Sequence, residues 1–409
     1  MVEISRDIAQ KFIITIQGLA ENANCQNTLE VVNKIHNIQI DTISVVARAQ
    51  DITIFNRFQG YQEKEVWKWL KEKKLFEYWS HALCFLPIET YPFYAWRMKQ
   101  TKENNSTGWK KWISENRSVI NKVYDYIKKN GPTMSADFKN KDEIEKRTGW
   151  WDWKKEKIAL EHLYEIGELA ITERNGFQKV YDLTERVLPP GISSEPMSEE
   201  ELPDFMVQTI FPALGIAGAD EMKSYLGAIF ARYLWKSNKK SIEKYLDECV
   251  KEDILLEIQI KDFETKLYTH KNLENKLLKI NPNNTNNSMR ILSPFDNIIR
   301  ERNYPSLIWN FDYKIDSYLP KDQRVYGYHV LVLLDDHSLV GRVDAKAYRK
   351  EKIMEFKSIF LESHFYKKDN SFERLILCLK KFSDFHNCVE IRFGEKVTKD
   401  LKAQFIGNL

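Results

Sequence analysis

Leu169-Ala170-Ile171-Thr172-Glu173-Arg174-Asn175-Gly176-Phe177-Gln178-Lys179-Val180-Tyr181 holds two strand-like runs around Asn175-Gly176, a dipeptide suited to a type I′ hairpin turn. Upstream, Trp153 to Ile166 places Ile158, Leu160, Leu163 and Ile166 close to helical spacing and stops at Gly167. Before that, Ser118 to Asn130 reads as a helix ended by Gly131-Pro132. Thr133-Met134 follows as a short strand, and Ser135 caps a helix beginning Ala136-Asp137-Phe138. Helix, short strand, helix, helix and hairpin is the order of a winged helix. Arg174 and Lys179 on the wing fit phosphate contact, and fit equally well as solvated hairpin charges. Trp150-Trp151-Asp152-Trp153 reads as a set of core anchors opening a helix.

The same pattern recurs on both sides. Helical stretches near Asp204 to Leu214, Ala219 to Tyr233 and Lys239 to Lys251 precede strand-like Leu256 to Ile260 and Thr265 to Tyr268. At the N-terminus, helices at Ser5 to Leu19, Thr28 to Ile35 and Gln62 to Lys73 precede strand-like Phe76 to Leu86. Pro189-Pro190-Gly191 with the acidic run after Ser198, and the Asn-rich stretch from Asn281 to Asn287, read as linkers. Arg324 to Ala345 alternates as strands around a polar turn at Asp335-Asp336-His337. The expected fold class is α+β, mainly helical: three tandem winged-helix modules (1–112, 113–190, 191–288) plus a C-terminal α+β unit with a β-hairpin (289–409).

The 409 residues are 43% hydrophobic and 13% aromatic, ample for packed cores and unlike a disordered chain. With 62 basic and 59 acidic residues the net charge is only +3, so a nucleic-acid surface requires local clustering. Neither a run of 18 apolar residues nor a basic-then-apolar leader is visible, so a cytoplasmic protein without membrane contact is expected. Five scattered cysteines without a Cys-x-x-Cys pair point to reduced thiols and away from structural zinc. No cofactor is expected, and no dimerising coiled coil is seen, so a monomer is.

Ile38-Gln39-Ile40-Asp41 carries the chemistry. In a strand, Gln39 and Asp41 share one face while the isoleucines anchor the other. An amide and a carboxylate aimed at one point can hold a water between them, the amide orienting it and the carboxylate accepting its proton. The stretch also fits a strand end whose Asp41-Thr42 caps the next helix.

Four stretches occur in order along the chain: Ile38 to Gln50, Phe76-Glu77-Tyr78-Trp79-Ser80-His81-Ala82, Ser293-Pro294-Phe295-Asp296-Asn297-Ile298-Ile299-Arg300-Glu301-Arg302, and Gly341-Arg342-Val343-Asp344-Ala345-Lys346-Ala347. Together they resemble the AlkZ/YcaQ winged-helix DNA glycosylases, from the first helix to at least Arg349. Gln39-Ile40-Asp41 is similar to the Gln-apolar-Asp form of that family's motif. The resemblance implies three winged helices, hydrolysis of the N-glycosidic bond of N-alkylated purines, unhooking of interstrand crosslinks, and catalysis by Gln39 and Asp41. Its implied partner is double-stranded DNA carrying alkylated or crosslinked purines. It also implies a C-terminal hairpin that enters DNA, placed at Tyr328-His329-Val330, with Val332 or nearby residues standing where the family motif commonly has Pro.

Arg48 and Arg57 flank the helix expected after Asp41 and fit either phosphate contact or surface ion pairs. His81 fits a bond to the phosphodiester or to the reacting water, or a place in the core, and the resemblance favours the first. Arg300, Arg302, Arg342, Lys346 and Arg349, grouped against a nearly neutral background, suggest a phosphate track. The competing reading of the chain is a non-catalytic winged-helix transcriptional regulator.

Overall fold

Ser5 sets the first helix by accepting the Ile8 N–H at 3.2 Å, so that α1 (Arg6–Ile16) starts directly after strand β1 (Val2–Ile4). Asn27 caps α2 (Thr28–Ile35) in the same way and buries Val31, Val32 and Ile35. The two-residue strand β2 (Ile38–Gln39) and the short helix α3 (Ala49–Phe55) follow. The computed structural model describes residues 1–21, 25–104, 107–138, 155–261, 263–281, 283, 288–317 and 319–407. It divides into two compact units, one made of 1–63 with 206–409 and the other of 64–205.

In the unit 64–205, α4 (Glu65–Lys71) leads into the antiparallel strands β3 (Leu75–Trp79) and β4 (Leu83–Pro87). Next come α5 (Tyr91–Glu103), α6 (Thr107–Glu115), α7 (Arg117–Asn130), β5 (Thr133–Met134), α8 (Lys155–Glu165), β6 (Leu169–Asn175), β7 (Gln178–Leu183) and α9 (Thr184–Val187). The sheet order is β5-β7-β6, so helix, short strand, helix and hairpin follow one another as expected from sequence. Ser135–Phe138 is a 3-10 turn; the rest of the helix expected there, and Trp150-Trp151-Asp152-Trp153, lie outside the described residues.

The wing departs from expectation in one instructive way. Asn175 pairs with Gln178, which leaves Gly176 and Phe177 as the turn residues, with φ of 52° and 72°. A bulky residue in the left-handed region is strained. The Arg174 guanidinium compensates by lying 4.6 Å from the centre of the Phe177 ring and donating to the Phe177 carbonyl at 2.9 Å. Arg174 is also held by the Glu77 carboxylate at 2.8 and 2.5 Å, and Lys179 by Glu161 at 2.8 Å. Both wing cations are therefore structural, which corrects the phosphate-contact reading.

The chain returns to the first unit within α10 (Leu202–Leu214), followed by α11 (Ala219–Ser224), α12 (Ala228–Trp235) and α13 (Lys239–Lys251). The single helix expected over 219–233 is two helices because Gly227, at φ 109°, breaks it. Strands β8 (Leu255–Ile260) and β9 (Leu267–His270) form a hairpin, to which β1 adds in parallel on β8. After α14 (Glu274–Leu278) come β10 (Met289–Leu292), α15 (Asn303–Trp309), β11 (Val330–Asp335), β12 (Ser338–Tyr348), β13 (Ile353–Leu361), α16 (Ser371–Phe385), β14 (Glu390–Lys396) and α17 (Lys399–Gly407). β10 to β14 form one five-stranded sheet in sequence order, antiparallel except for the β13–β14 pair.

Both faces of this sheet are covered, which is why β11 reads as an unbroken apolar run. Val330, Val332 and Leu334 join one core with Phe12, Ile13 and Ile308; Leu331 and Leu333 join the other with Ile52, Leu375 and Leu379. The polar turn expected at Asp335-Asp336-His337 forms, with Asp336 at φ 58°. At the far end of β12, the Ala347 N–H donates to the Val45 carbonyl at 3.3 Å, and Arg349 donates to the Val46 carbonyl. The sheet thus holds the segment that follows Asp41.

Candidate active site

The position of the Gln39–Asp41 strip is fixed before the strip begins. His36 ends α2 at φ 63°, and around it the backbone is clamped by residues from distant parts of the same unit. Tyr225 Oη donates to the Ile35 carbonyl at 2.7 Å, Asn297 Nδ2 reaches the Ile35 carbonyl at 3.0 Å and Tyr225 Oη at 2.6 Å, and Asn37 Nδ2 donates to the Tyr225 carbonyl at 3.2 Å. Asn37, Tyr225 and Asn297 are fully buried, and such polar groups hold their partners firmly. Burial also pushes the His36 imidazole down to about 3, keeping it neutral.

Beyond the clamp, Ile38 and Ile40 are buried while Gln39 between them is half-buried, the alternation expected of the strip. Asp41 is 9% exposed. Its N–H donates to Gln50 Oε1 at 3.1 Å, its Oδ1 accepts the Ile43 N–H at 3.2 Å, and its Oδ2 makes no hydrogen bond among the described residues. This is a local turn around Asp41. The helix-cap alternative does not form, since α3 starts only at Ala49. Burial raises the Asp41 pKa, opposed by the Ile43 N–H, the nearby His329, the Thr42 N–H and Arg48. A carboxylate so placed is a stronger base than one in water.

His329 stands next to Asp41, not on a DNA-facing tip. It is fully buried, and neither ring nitrogen has a hydrogen-bond partner among the described residues. The direct DNA contact expected of it is corrected on that ground. Asp344 holds the residues on either side of His329: Val330 pairs with Asp344 across β11 and β12, and Asp344 Oδ2 accepts the Tyr328 N–H at 3.0 Å. Gly327, at φ 149°, is required here because a Cβ would fall 2.3 Å from Asp344 Oδ2. Burial lowers the His329 pKa, while the carboxylates of Asp41 and Asp344 pull it up.

Four of the expected phosphate contacts have other partners, because their guanidiniums are turned inward. Arg57, wholly buried, is paired with Asp296 and bound to Gln17. Arg300 lies over the Tyr225 ring at 4.6 Å and donates to the Tyr225 carbonyl. Arg302 donates to the carbonyls of Pro294 and Ile299 over the Tyr313 ring. Arg342 is sandwiched between Phe311 and Tyr326 and paired with Glu362. The proposed track is therefore reduced to Arg48, Lys346 and Arg349, of which Arg349 is exposed and the other two half-buried. Lys350 and Lys352 are exposed on the β12–β13 turn beside Arg349; Lys352, for which the sequence suggests a structural role, stands in solvent, and the signal for this basic turn is the spacing of three cations over 349–352. His81 belongs to the other unit, half-buried in the β3–β4 turn with Nδ1 3.7 Å from Cys84 Sγ.

Residues within the two C-terminal stretches that carry the resemblance build this site: Asp296 and Asn297 hold the scaffold, and Asp344 interacts with His329. The strip itself offers one half-buried amide and one carboxylate with a free oxygen, a set suited to orienting and deprotonating water. Among the described residues no group of three or more His, Cys, Asp or Glu is placed to hold a metal ion, and no helix is long and apolar enough to cross a membrane.

Comparison with solved structures finds the same fold in the Streptomyces sahachiroi DNA glycosylase AlkZ, at a TM-score of 0.65 and 14% identity over 97% of this chain and 100% of that one. The family described as DNA glycosylase AlkZ-like matches residues 32–376, which include Gln39, Asp41, Asn297, His329 and Asp344. With most of its length inside that match, the chain belongs to the AlkZ-like DNA glycosylase family.

Proposed function

We propose that this DNA glycosylase releases N-alkylated purines of the N7-alkylguanine type by hydrolysis, and that it also unhooks interstrand crosslinks. The observation that carries the reading is the Asp41 carboxylate: buried, raised in pKa, with one oxygen bound to the Ile43 N–H and the other making no hydrogen bond within the described protein. Membership of a glycosylase family sets aside the non-catalytic regulator.

Alkylation at N7 gives guanine a positive charge, so the base departs with little need of protonation. The enzyme's remaining task is to stabilise the oxocarbenium-like sugar and to deliver water to C1′. Asp41 supplies negative charge near the developing cation and takes the water's proton; Gln39 orients that water. This division requires neither a metal nor a Schiff-base lysine, so the reaction is monofunctional and leaves an abasic site. Many enzymes acting on bases flip them into a pocket, which a crosslinked base resists. Access from the groove suits that substrate.

Arg48, Lys346 and Arg349 bind phosphates around the strip, and His81, in the unit 64–205, makes a DNA contact of its own. The exposed side chains of Val325 and Tyr328, on the loop leading to His329, are suited to pressing against the duplex. Five free, buried cysteines accord with action in the cytoplasm, and we take the working form as a monomer of three winged-helix modules and a C-terminal α+β unit. The test is incubation with duplex containing N7-methylguanine and, separately, an N7–N7 crosslink. Free base with an abasic site, and separated strands, are expected; intact substrates in both assays contradict the reading.

A further inference from the structure

Four buried polar atoms make no hydrogen bond among the described residues, Asp41 Oδ2, both ring nitrogens of His329 and Asp344 Oδ1, and His329 interacts electrostatically with both carboxylates. Buried polar groups are nearly always paired, so such a cluster needs a reason. Core packing does not supply one, because an apolar side chain at 329 would avoid the cost. The three residues come from the strip after β2, the position just before β11 and the middle of β12. The strap Gly327-Tyr328-His329 is seated on Asp344 by the Tyr328 N–H and by the side-chain-free face of Gly327.

We propose that His329, backed by Asp344, is the proton acceptor behind Asp41, a positioning pair that acts through that carboxylate and does not touch DNA. The inference rests on the reading of Asp41 as the group that activates water. As the C1′–N bond breaks, its electron pair leaves with the alkylated base and neutralises it. The water oxygen bonds to C1′, and one water proton passes to Asp41 while the other remains in the new hydroxyl group. The proton on Asp41 reaches His329 through a bridging water, the imidazolium is balanced by Asp344, and release of the proton to solvent restores both groups. Burial lowers the His329 pKa and leaves the imidazole neutral and able to accept a proton, and the two carboxylates stabilise it once charged. The charged groups acting here are Asp41 and Asp344 on His329, and His329 with Arg48 on Asp41.

The test uses His329→Gln, Asp344→Asn and Asp41→Asn in the full chain. Single-turnover excision of N7-methylguanine is followed against pH, and the His329 imidazole is titrated by NMR. His329→Gln should slow excision at least about 10-fold with unchanged DNA affinity. Its acid limb should move to higher pH, because an imidazolium no longer stabilises the Asp41 anion. The His329 midpoint should fall in both amide variants, each of which removes a negative charge. Wild-type rate and an unmoved acid limb in His329→Gln overturn the proposal, as does a His329 midpoint indifferent to both amides. Should His329→Gln fail to fold, the titrations in the other two variants decide. An Asp41→Asn enzyme that still excises at full rate removes the water-activation reading itself, whereas a dead Asp41→Asn beside a fully active His329→Gln removes the relay alone.

Discussion

Arg57 and Asp296 stand 239 residues apart and meet as a two-pronged ion pair, Nη1 to Oδ2 at 2.7 Å and Nη2 to Oδ1 at 2.9 Å, with neither side chain exposed. Arg57 also donates to the carbonyls of Gln17 and Thr53, so one guanidinium ties α1, α3 and the turn after β10. The pair assembles the scaffold under the Gln39–Asp41 strip.

Breaking such a pair leaves an uncompensated buried charge, which costs about 3–5 kcal/mol. Arg57→Leu and Asp296→Asn should each lower the urea midpoint accordingly. Any variant that stays folded should keep its DNA affinity. Loss of affinity in a folded Arg57→Leu protein would show that the residue also reaches phosphate.

Asn297→Ala removes the donor that holds Ile35 and Tyr225 and should cost about 1–3 kcal/mol of stability. Because the clamp precedes the strip, excision should slow while DNA binding is retained. Equal losses in rate and affinity, measured by single-turnover kinetics and fluorescence anisotropy, argue against a positioning role.

Arg349→Gln tests the reduced phosphate surface. Loss of one phosphate contact should weaken binding to all duplex sequences alike and make the slope of log K against log salt shallower by about 0.9. An unchanged slope removes Arg349 from the interface.

Asp51, on α3, is pushed up to about 7 by burial, despite accepting a hydrogen bond from Tyr61. In the unfolded chain it ionises near 3.8, so between pH 4 and 7 the unfolded state sheds a proton that the folded state keeps. Its contribution to stability is therefore fully present below pH 4 and is lost as pH rises through 7. Asp51→Asn should gain stability relative to wild type on going from pH 5 to pH 8; a difference that is flat with pH refutes the shift.

The local elements were legible because local chemistry sets them: Thr28–Ile35 and Lys239–Lys251 form within the expected bounds, and the β6–β7 wing follows Gly167 as read. The wing turn sits one residue late because the Phe177 ring, stacked on Arg174, outweighs the intrinsic preference of Asn175-Gly176. The Gln-Asp strip could be found, since alternation with buried isoleucines is a local signal. The fate of the arginines could not. A basic cluster in sequence reads the same whether its guanidiniums face solvent or, like those of Arg57, Arg300 and Arg342, turn onto carbonyls, rings and carboxylates far along the chain. For the same reason His329 looked like a surface contact: only the pairing of β11 with β12 brings Asp344 to its side.

The most direct measurement compares wild-type and Asp41→Asn enzymes on one duplex containing N7-methylguanine, under single-turnover conditions at neutral pH, with DNA affinity measured in parallel. The role of Asp41 in activating water requires release of free base by the wild type and a loss of at least about 100-fold in the variant at unchanged affinity. Base release by Asp41→Asn at the wild-type rate would contradict it.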